Sequence, residues 1–338
     1  MLFFILKRFG MLIIVIIGIT LITFTISHII PGDPAKLAAG PKARAEQIEQ
    51  VRKELGLDKP LYQQYFTYLS GLIKGDLGTS ITTRRSVTKE LAEYFPATLE
   101  LVIFALIFEL LIGIPIGILS ARYRNSVLDH ASRLVSLSGV SIPLFWLGVL
   151  LQLIFYVKLG WLPAEGRIGI LLSPPARITG MYVFDSLISG NWKLLLDSLK
   201  HILLPSFALA FGSMAIVTRI LRTSMLEVLR QDYILTARAK GFKESGVITR
   251  HALKNAMIPT ITVIGLQTGA LLSGVFLIEI VFDWPGMGMY AINSLLKLDY
   301  FAIMGVTIVV ALIYVIINFF VDIIYSILDP RISIGGNT

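Results

Sequence analysis

The chain contains no cysteine and few charged residues. With no Cys among 338 residues, disulfide bonds and thiolate metal sites are excluded. Charged residues make up only 15% of the chain, whereas soluble globular domains carry about 25%. Hydrophobic residues account for 55%, and the mean hydropathy is +0.77. The composition therefore excludes an ordinary soluble domain and predicts an all-α polytopic membrane protein.

The motifs of several catalytic classes are also missing. No Gly-Lys dipeptide occurs, so the chain has no Walker A loop to hold ATP phosphates. No Gly-x-Ser-x-Gly nucleophile motif occurs either. The four histidines are dispersed without the short spacing of metal ligands: His28, His130, His201 and His251. We therefore predict no catalytic residue, no metal site and no cofactor in this chain.

Six apolar runs are long enough to cross a membrane. The first, Phe9–Ile30, has 22 residues, and about 20 residues cross a core of about 30 Å. It is followed by Pro31-Gly32-Asp33-Pro34 rather than a small-residue cleavage site, which favours a retained span over a signal peptide. The other five runs are residues 97–119, 134–157, 201–221, 256–281 and 300–327.

These runs divide the chain into four predicted segments. Residues 1–30 form an N-terminal transmembrane helix, and residues 31–96 form a helical segment outside the cytoplasm. Residues 97–328 form a transmembrane core containing a polar loop at 222–258, and residues 329–338 form a tail. In the outer segment, apolar spacing predicts one helix near Ile48–Leu55 and another near Leu61–Leu72, which can pack as a small cap on the outer face. The alternative is a lid that only shields the bundle.

The basic residues predict the orientation. With the N-terminus inside, the cytoplasmic segments hold fourteen Lys and Arg residues, and the two short outer loops hold six. The other ten lie in the 31–96 segment, which exceeds the length of about 60 residues up to which this bias is counted. Both termini and the 222–258 loop are therefore predicted to be cytoplasmic. The net charge of +8 reflects this loop bias rather than nucleic-acid binding.

The 222–258 loop has a helical pattern. Ser224 and Glu227 have the spacing of a capping box. Apolar residues then recur every three or four positions, which predicts an amphipathic helix that Gly241 ends: Met225, Leu226, Leu229, Tyr233 and Ala237. A second amphipathic segment follows, and Pro259 is placed in the first turn of the next span. A helix, a glycine turn and a helix suit the docking of another protein. A solvated basic loop that only fixes topology is the alternative.

One family resemblance favours docking. The sequence TARAKG at Thr236–Gly241, with Arg250-His251-Ala252-Leu253 and Pro259, resembles the EAA loop of ABC importer permeases, in the form found in peptide and nickel transporters. In that family the loop carries a coupling helix that fits a cleft of the ATPase subunit. The resemblance implies an ATPase contact through Tyr233, Thr236, Ala237, Arg238, Ala239, Lys240 and Gly241. The leading Glu of the family pattern is replaced here by Leu235.

The outer segment extends the resemblance. The sequences LGLDKPL from Leu55, QY from Gln64 and GDLGTS from Gly75 resemble the outer segment of peptide-importer permeases. The segments DWPGMG from Asp283, Asp299-Tyr300 and Asp329-Pro330-Arg331 match the same family. The loop between Val157 and His201 matches it least.

Few polar residues lie inside the predicted spans. Glu109 is a candidate for a polar pathway, or a neutral acid that hydrogen-bonds within the bundle. Gln152 and Gln267 are further pathway candidates, although such residues more often join helices. Asp322 and Asn318 share a helix face and are placed to pair with Arg219.

Prolines and glycines within the spans predict local geometry. Gly113-Ile114-Pro115 and Ser141-Ile142-Pro143 place prolines where helical hydrogen bonds are lost. Gly265 and Gly269 lie on one face and predict close approach of another helix.

The resemblance implies a type I ABC importer permease fold, MetI-like, with six transmembrane helices. It implies a non-catalytic permease subunit for di- or oligopeptides, paired with a paralogous permease in the cytoplasmic membrane of a bacterium or archaeon. Two ABC ATPase subunits would bind ATP and Mg, and an extracytoplasmic binding protein would deliver substrate. The alternatives are a nickel or metal-chelate permease, an ion-coupled secondary transporter, and a membrane scaffold without a polar pathway.

Overall fold

The computed structural model describes residues 2–29, 33–40 and 42–328, without the side chains of residues 2–9, 11–12, 27–29 and 322–328. Over these residues the chain is helical and contains no strand; one isolated bridge joins Thr79 and Ser86. The prediction of an all-α protein is therefore confirmed.

Fifteen α-helices are present in the described ranges, and three short π-helical turns extend some of them. The helices are α1 (Leu2–Ile29), α2 (Pro34–Ala39), α3 (Ala45–Glu54), α4 (Leu61–Ile73), α5 (Val87–Phe108), α6 (Ile114–Arg122), α7 (Val127–Ser141), α8 (Leu144–Leu151), α9 (Tyr182–Ile188), α10 (Trp192–Val228), α11 (Asp232–Ala239), α12 (Glu244–Gly246), α13 (Leu253–Val281), α14 (Met287–Leu296) and α15 (Tyr300–Leu328). The π-helical turns are Glu109–Gly113, Gln152–Lys158 and Val247–Ala252.

Four continuous helices are long and apolar enough to cross a membrane. They are Val87–Arg122, Trp192–Val228, Glu244–Val281 and Tyr300–Val321. The pair α7 and α8 gives a fifth if it is counted as one span. Among the side chains that the structure describes, the apolar stretch of α1 covers Ile13–Ile26. The chain is thus a multi-pass membrane protein, and the count of six spans stays a prediction.

The helix break predicted at Ser141-Ile142-Pro143, inside the apolar run at residues 134–157, is confirmed. The chain bends by 113° between α7 and α8. Pro143 disfavours helical geometry at the residue before it, and Ile142 is extended, with ψ of 125°. At Gly113-Ile114-Pro115, by contrast, the helix continues through the π-helical turn Glu109–Gly113, a wider turn that accommodates the lost hydrogen bond.

Three further local predictions fail in the polar loop. The single helix predicted from Met225 to Ala237 is interrupted between Val228 and Asp232, so its residues belong to α10 and α11. Ser224 does not cap a helix, because α10 continues to Val228 and its last turns are held by the fully buried Leu221 and Met225. Pro259 lies inside α13 rather than in its first turn, because the π-helical turn Val247–Ala252 already begins the helix upstream.

The chain divides into two compact units, the first comprising residues up to Thr98 together with Pro285–Val315. In this unit α4 packs on α1: the hydroxyls of Thr20 and Tyr65 lie 3.0 Å apart, and the rings of Phe24 and Tyr65 meet edge to face. The two helices predicted for the outer segment are confirmed as α3 and α4. Pro60 precedes α4 as predicted.

The second unit comprises Leu99–Trp284 and the chain from Ile316 onward. Its central helix is α10, which packs against α6, α7, α9 and α13. Close approach requires glycine at two positions. A Cβ on Gly139 would lie 2.6 Å from the Cβ of Ala215, and a Cβ on Gly265 would overlap the side chain of Val321. The close packing predicted at Gly265 is therefore confirmed.

Candidate functional site

The helix α11 is docked near the C-terminal end of α10 rather than free in solvent. Its Ile234 is fully buried and its Ala237 is nearly so. Both pack into a cluster with Leu221, Met225 and Val247. Burial of one isoleucine side chain contributes about 1.5–3 kcal/mol, which stabilises α11 against the π-helical turn Val247–Ala252 and the buried side chains of α10.

The opposite face of α11 is exposed and mixed in character. Tyr233 is 42% exposed and Leu235 is 53% exposed, and Phe242 beyond the helix is 46% exposed. The Tyr233 hydroxyl accepts a hydrogen bond of 2.6 Å from the Nδ2 group of Asn255, which orients its ring. The other sequence candidates on this helix and its turn also lie at the surface: Thr236, Arg238, Ala239, Lys240 and Gly241. Ala237 is the exception and points inward.

The turn after α11 depends on a left-handed residue. Gly241 has φ of +79°, and its N–H donates to the carbonyl of Arg238 over 2.9 Å. Side chains are disfavoured at such φ values. A forked ion pair closes the turn: Arg238 donates to Glu244 from Nε at 3.1 Å and from Nη2 at 2.7 Å. Its hydrogen bonds to this carboxylate raise the pKa of Arg238. Arg238 thus shapes the turn as well as lying on its surface.

The three candidate pathway residues occupy different environments. Glu109 is fully buried in a π-helical turn, and neither oxygen accepts a hydrogen bond within the part of the chain that the structure describes. Gln152 uses both donors to join chain segments, at 2.8 Å from the carbonyl of Ala164 and 2.9 Å from that of Val281. The Gln152 contacts are structural.

Gln267 alone of the three lines a described cavity. That cavity has a volume of about 250 Å³ and lies among α7, α8, α10 and α13. Ser213 supplies a second polar group, and Gly139, Gly212 and Gly274 keep the walls free of side chains. This cavity, called the Gln267 groove below, has smooth walls and few polar groups. Such walls suit weak and transient binding of a ligand.

Sequence reasoning missed a buried ion pair in the 159–191 region. Nη2 of Arg167 lies 2.6 Å from Oε2 of Glu100, and the two side chains are 6% and 0% exposed. The other Glu100 oxygen accepts from the N–H of Val183 at 2.7 Å. The Arg167 guanidinium also stacks on Tyr182 at 3.6 Å from the ring centre. The signal was available, since a carboxylate inside a predicted span requires a partner.

A second acidic anchor orders the same region. The Asp185 carboxylate accepts hydrogen bonds from Thr179 and Gly180. Burial alone raises the pKa of this carboxyl, but these hydrogen bonds outweigh burial and lower it. The loop that matches the family pattern least is therefore rigidly held.

Known proteins resemble this chain over nearly its whole length. A family described as "Binding-protein-dependent transport system inner membrane component" matches residues 113–334, and the N-terminal component of the same kind of system matches residues 1–102. This chain belongs to that family. Across residues 2–29, 33–40 and 42–328, no three His, Asp or Glu residues are grouped to hold a metal ion.

Curated relatives of this family member are permease proteins of dipeptide and glutathione transport systems. It is 50% identical to the probable D,D-dipeptide transport system permease protein DdpB of Escherichia coli, over 96% of both chains. It is 48% identical to the dipeptide transport system permease protein DppB of Alkalihalophilus pseudofirmus, over 98% of this chain and 100% of the relative. The glutathione transport system permease protein GsiC of Escherichia coli is 39% identical over 98% of this chain and 99% of the relative.

Proposed function

We propose that this chain is one of two related permease subunits of an ATP-driven importer of di- or oligopeptides. The observation that carries the proposal is the full-length similarity to dipeptide permeases. The named relatives transport dipeptides or glutathione, which favours a peptide over a nickel chelate. The family's dependence on a binding protein disfavours an ion-coupled secondary transporter.

Two ABC ATPase subunits that bind ATP and Mg dock on the cytoplasmic side, a paralogous permease completes the pathway, and a binding protein delivers peptide outside. The basic residues of the loops support cytoplasmic termini in a bacterial or archaeal inner membrane. The packing of α11 supports a coupling mechanism. When an ATPase subunit moves α11, the motion is transmitted to α10 through the buried side chains of Ile234 and Ala237.

The exposed apolar side chains of α11 and its turn predict the chemistry of the ATPase contact. Leu235 stands where the family carries Glu, and it is half exposed; Tyr233 and Phe242 are also exposed. This contact therefore depends on apolar burial. We expect Leu235→Ser to weaken ATPase retention about tenfold, since a buried leucine side chain contributes about 1.5–3 kcal/mol.

The measurement is a gentle-detergent pull-down of the tagged chain with mass identification of the retained proteins. The wild type is expected to retain a second permease and P-loop ATPases. Lys243→Ser, on the adjacent surface, is the matched control and is expected to retain them normally. Recovery of the wild-type chain as a homo-oligomer without ATPases, under conditions that preserve other membrane complexes, contradicts the importer.

Gln267 provides a test of the groove. We expect Gln267→Leu to lower the peptide uptake rate about threefold to tenfold, because it removes a polar group from a groove with few such groups. Gln152→Leu should instead lower the unfolding temperature, because the carbonyls of Ala164 and Val281 both lose the Gln152 amide as their hydrogen-bond donor. Uptake and unfolding temperature measured on both variants separate the two roles, and an unchanged uptake rate in a folded Gln267→Leu protein removes Gln267 from the pathway.

A further inference from the structure

A strongly basic cavity lies between α7 and α10. Its volume is about 260 Å³, and its walls include Arg133, Arg219 and Arg222 with the hydroxyl residues Ser132, Ser136 and Thr218. Basic side chains beside membrane-spanning helices are costly and usually serve a partner or a ligand.

The cavity has more positive than negative charge. One carboxylate, that of the fully buried Asp129, forms ion pairs with two of the three guanidiniums. Arg222 donates to it from Nε at 2.6 Å and from Nη2 at 2.9 Å, while Nη2 of Arg133 lies 3.7 Å from it and 2.7 Å from Nδ1 of His130. Arginine stays protonated in proteins, so Asp129 neutralises one charge of the three.

Arg219 is the arginine available for a ligand. It is exposed, and within the described side chains no carboxylate pairs with it. The predicted partner Asp322 lies outside the described side chains. Even with an Asp322–Arg219 pair, three guanidiniums would face two carboxylates, and the cavity would keep a net positive charge.

The surface beside the cavity is apolar. Leu134, Leu137 and Val140 are 67%, 61% and 56% exposed, and they recur every three residues along α7. Leu137 and Val140 also line the cavity. The polar cavity therefore lies next to an aliphatic stripe. The cavity matches a phosphate group, and the stripe matches the acyl chain joined to it.

We infer that this cavity binds the phosphate of an anionic phospholipid, held by Arg219 and Arg133, with an acyl chain along the Leu134–Val140 stripe. Guanidinium groups bind phosphate oxygens through two parallel hydrogen bonds. Basic pockets between membrane helices on the cytoplasmic side suit such headgroups. The aliphatic stripe favours a lipid over a peptide whose carboxylate enters the cavity. The polar backbone of such a peptide would need polar groups along the stripe as well.

The test is native mass spectrometry of the detergent-purified complex containing the full chain, titrated with phosphatidylglycerol or phosphatidylcholine. The wild type should retain phosphatidylglycerol at least about tenfold better than phosphatidylcholine. Arg219→Gln and Arg133→Gln should each reduce retention about fivefold, the effect of one basic residue near an anionic membrane surface. Arg219→Lys should keep most of it. Arg124→Gln removes the same charge outside the cavity lining and should change nothing.

Equal retention of the two lipids, or equal losses in Arg124→Gln and Arg219→Gln, would overturn the inference. Displacement of the lipid by a dipeptide but not by its amidated form would also overturn it, because it assigns the cavity to a peptide carboxylate. Asp322→Asn decides the structural alternative. If Arg219 only pairs with Asp322, that variant lowers the unfolding temperature as Arg219→Gln does, and neither changes lipid retention. The lipid site does not depend on the proposed substrate, so it stands or falls separately from peptide transport.

Discussion

Gly241→Val is expected to reduce ATP-driven peptide uptake about tenfold. Gly241 has φ of +79° in the turn that follows α11. A non-glycine residue in the left-handed region costs about 1–2 kcal/mol, and a β-branched residue is among the least tolerated. Since 1.4 kcal/mol is about a factor of ten, the equilibrium between the native turn and its alternatives shifts about tenfold toward the alternatives, in which α11 presents a different docking surface.

Gly246→Val is the matched control for this turn. Gly246 has φ of −69° in the same loop, and a Cβ there meets nothing within 4 Å. Uptake and substrate-stimulated ATP hydrolysis are measured for both variants in the reconstituted complex. Normal coupling in a correctly inserted Gly241→Val protein would show that the turn is not used for coupling.

Glu100→Gln is expected to lower the free energy of unfolding by about 3–5 kcal/mol, the usual cost of leaving a buried charge without its partner. The substitution keeps the side-chain shape and the acceptor for Val183, but it removes the charge that faces Arg167. The region around residues 166–183 should then exchange its amide hydrogens faster.

An exposed ion pair is the control for this prediction. Glu93 pairs with Arg85 at 2.5 Å, but the side chains are 40% and 53% exposed. Glu93→Gln should change stability by at most about 1 kcal/mol. Thermal unfolding in detergent and hydrogen exchange compare the variants. Similar small shifts for both would mean that the Glu100–Arg167 pair does not hold this region in place.

Local features of the fold were predictable from the sequence because their causes are local. The apolar spacing from Leu61 to Leu72 and the flanking Pro60 give α4 as observed. Gly241 marks the end of α11 because few other residues accept its φ. The extended residue before Pro143 follows from proline chemistry, but its consequence, a bend of 113°, depends on how α7 and α8 pack.

Features that depend on distant residues were not predictable in the same way. Arg167 lies 67 residues from Glu100 along the chain, and Arg222 lies 93 residues from Asp129, so no local spacing links them. The continuation of α10 past Ser224 has the same origin, because burial of Leu221 and Met225 outweighs a local capping pattern. Gln152 and Gln267 look alike in sequence, and only their surroundings separate a structural amide from one that lines a cavity.

Vectorial peptide uptake is the direct test of ATP-driven peptide import by this chain. Proteoliposomes carry this chain with its co-purified permease and ATPases, with ATP and Mg on the ATPase side and labelled dipeptide plus binding protein on the other. We expect uptake that requires ATP, the binding protein and both permeases, and that continues when ion gradients are collapsed. Uptake driven by an ion gradient without ATP, or the absence of peptide flux in a complete and hydrolysing complex, would contradict it.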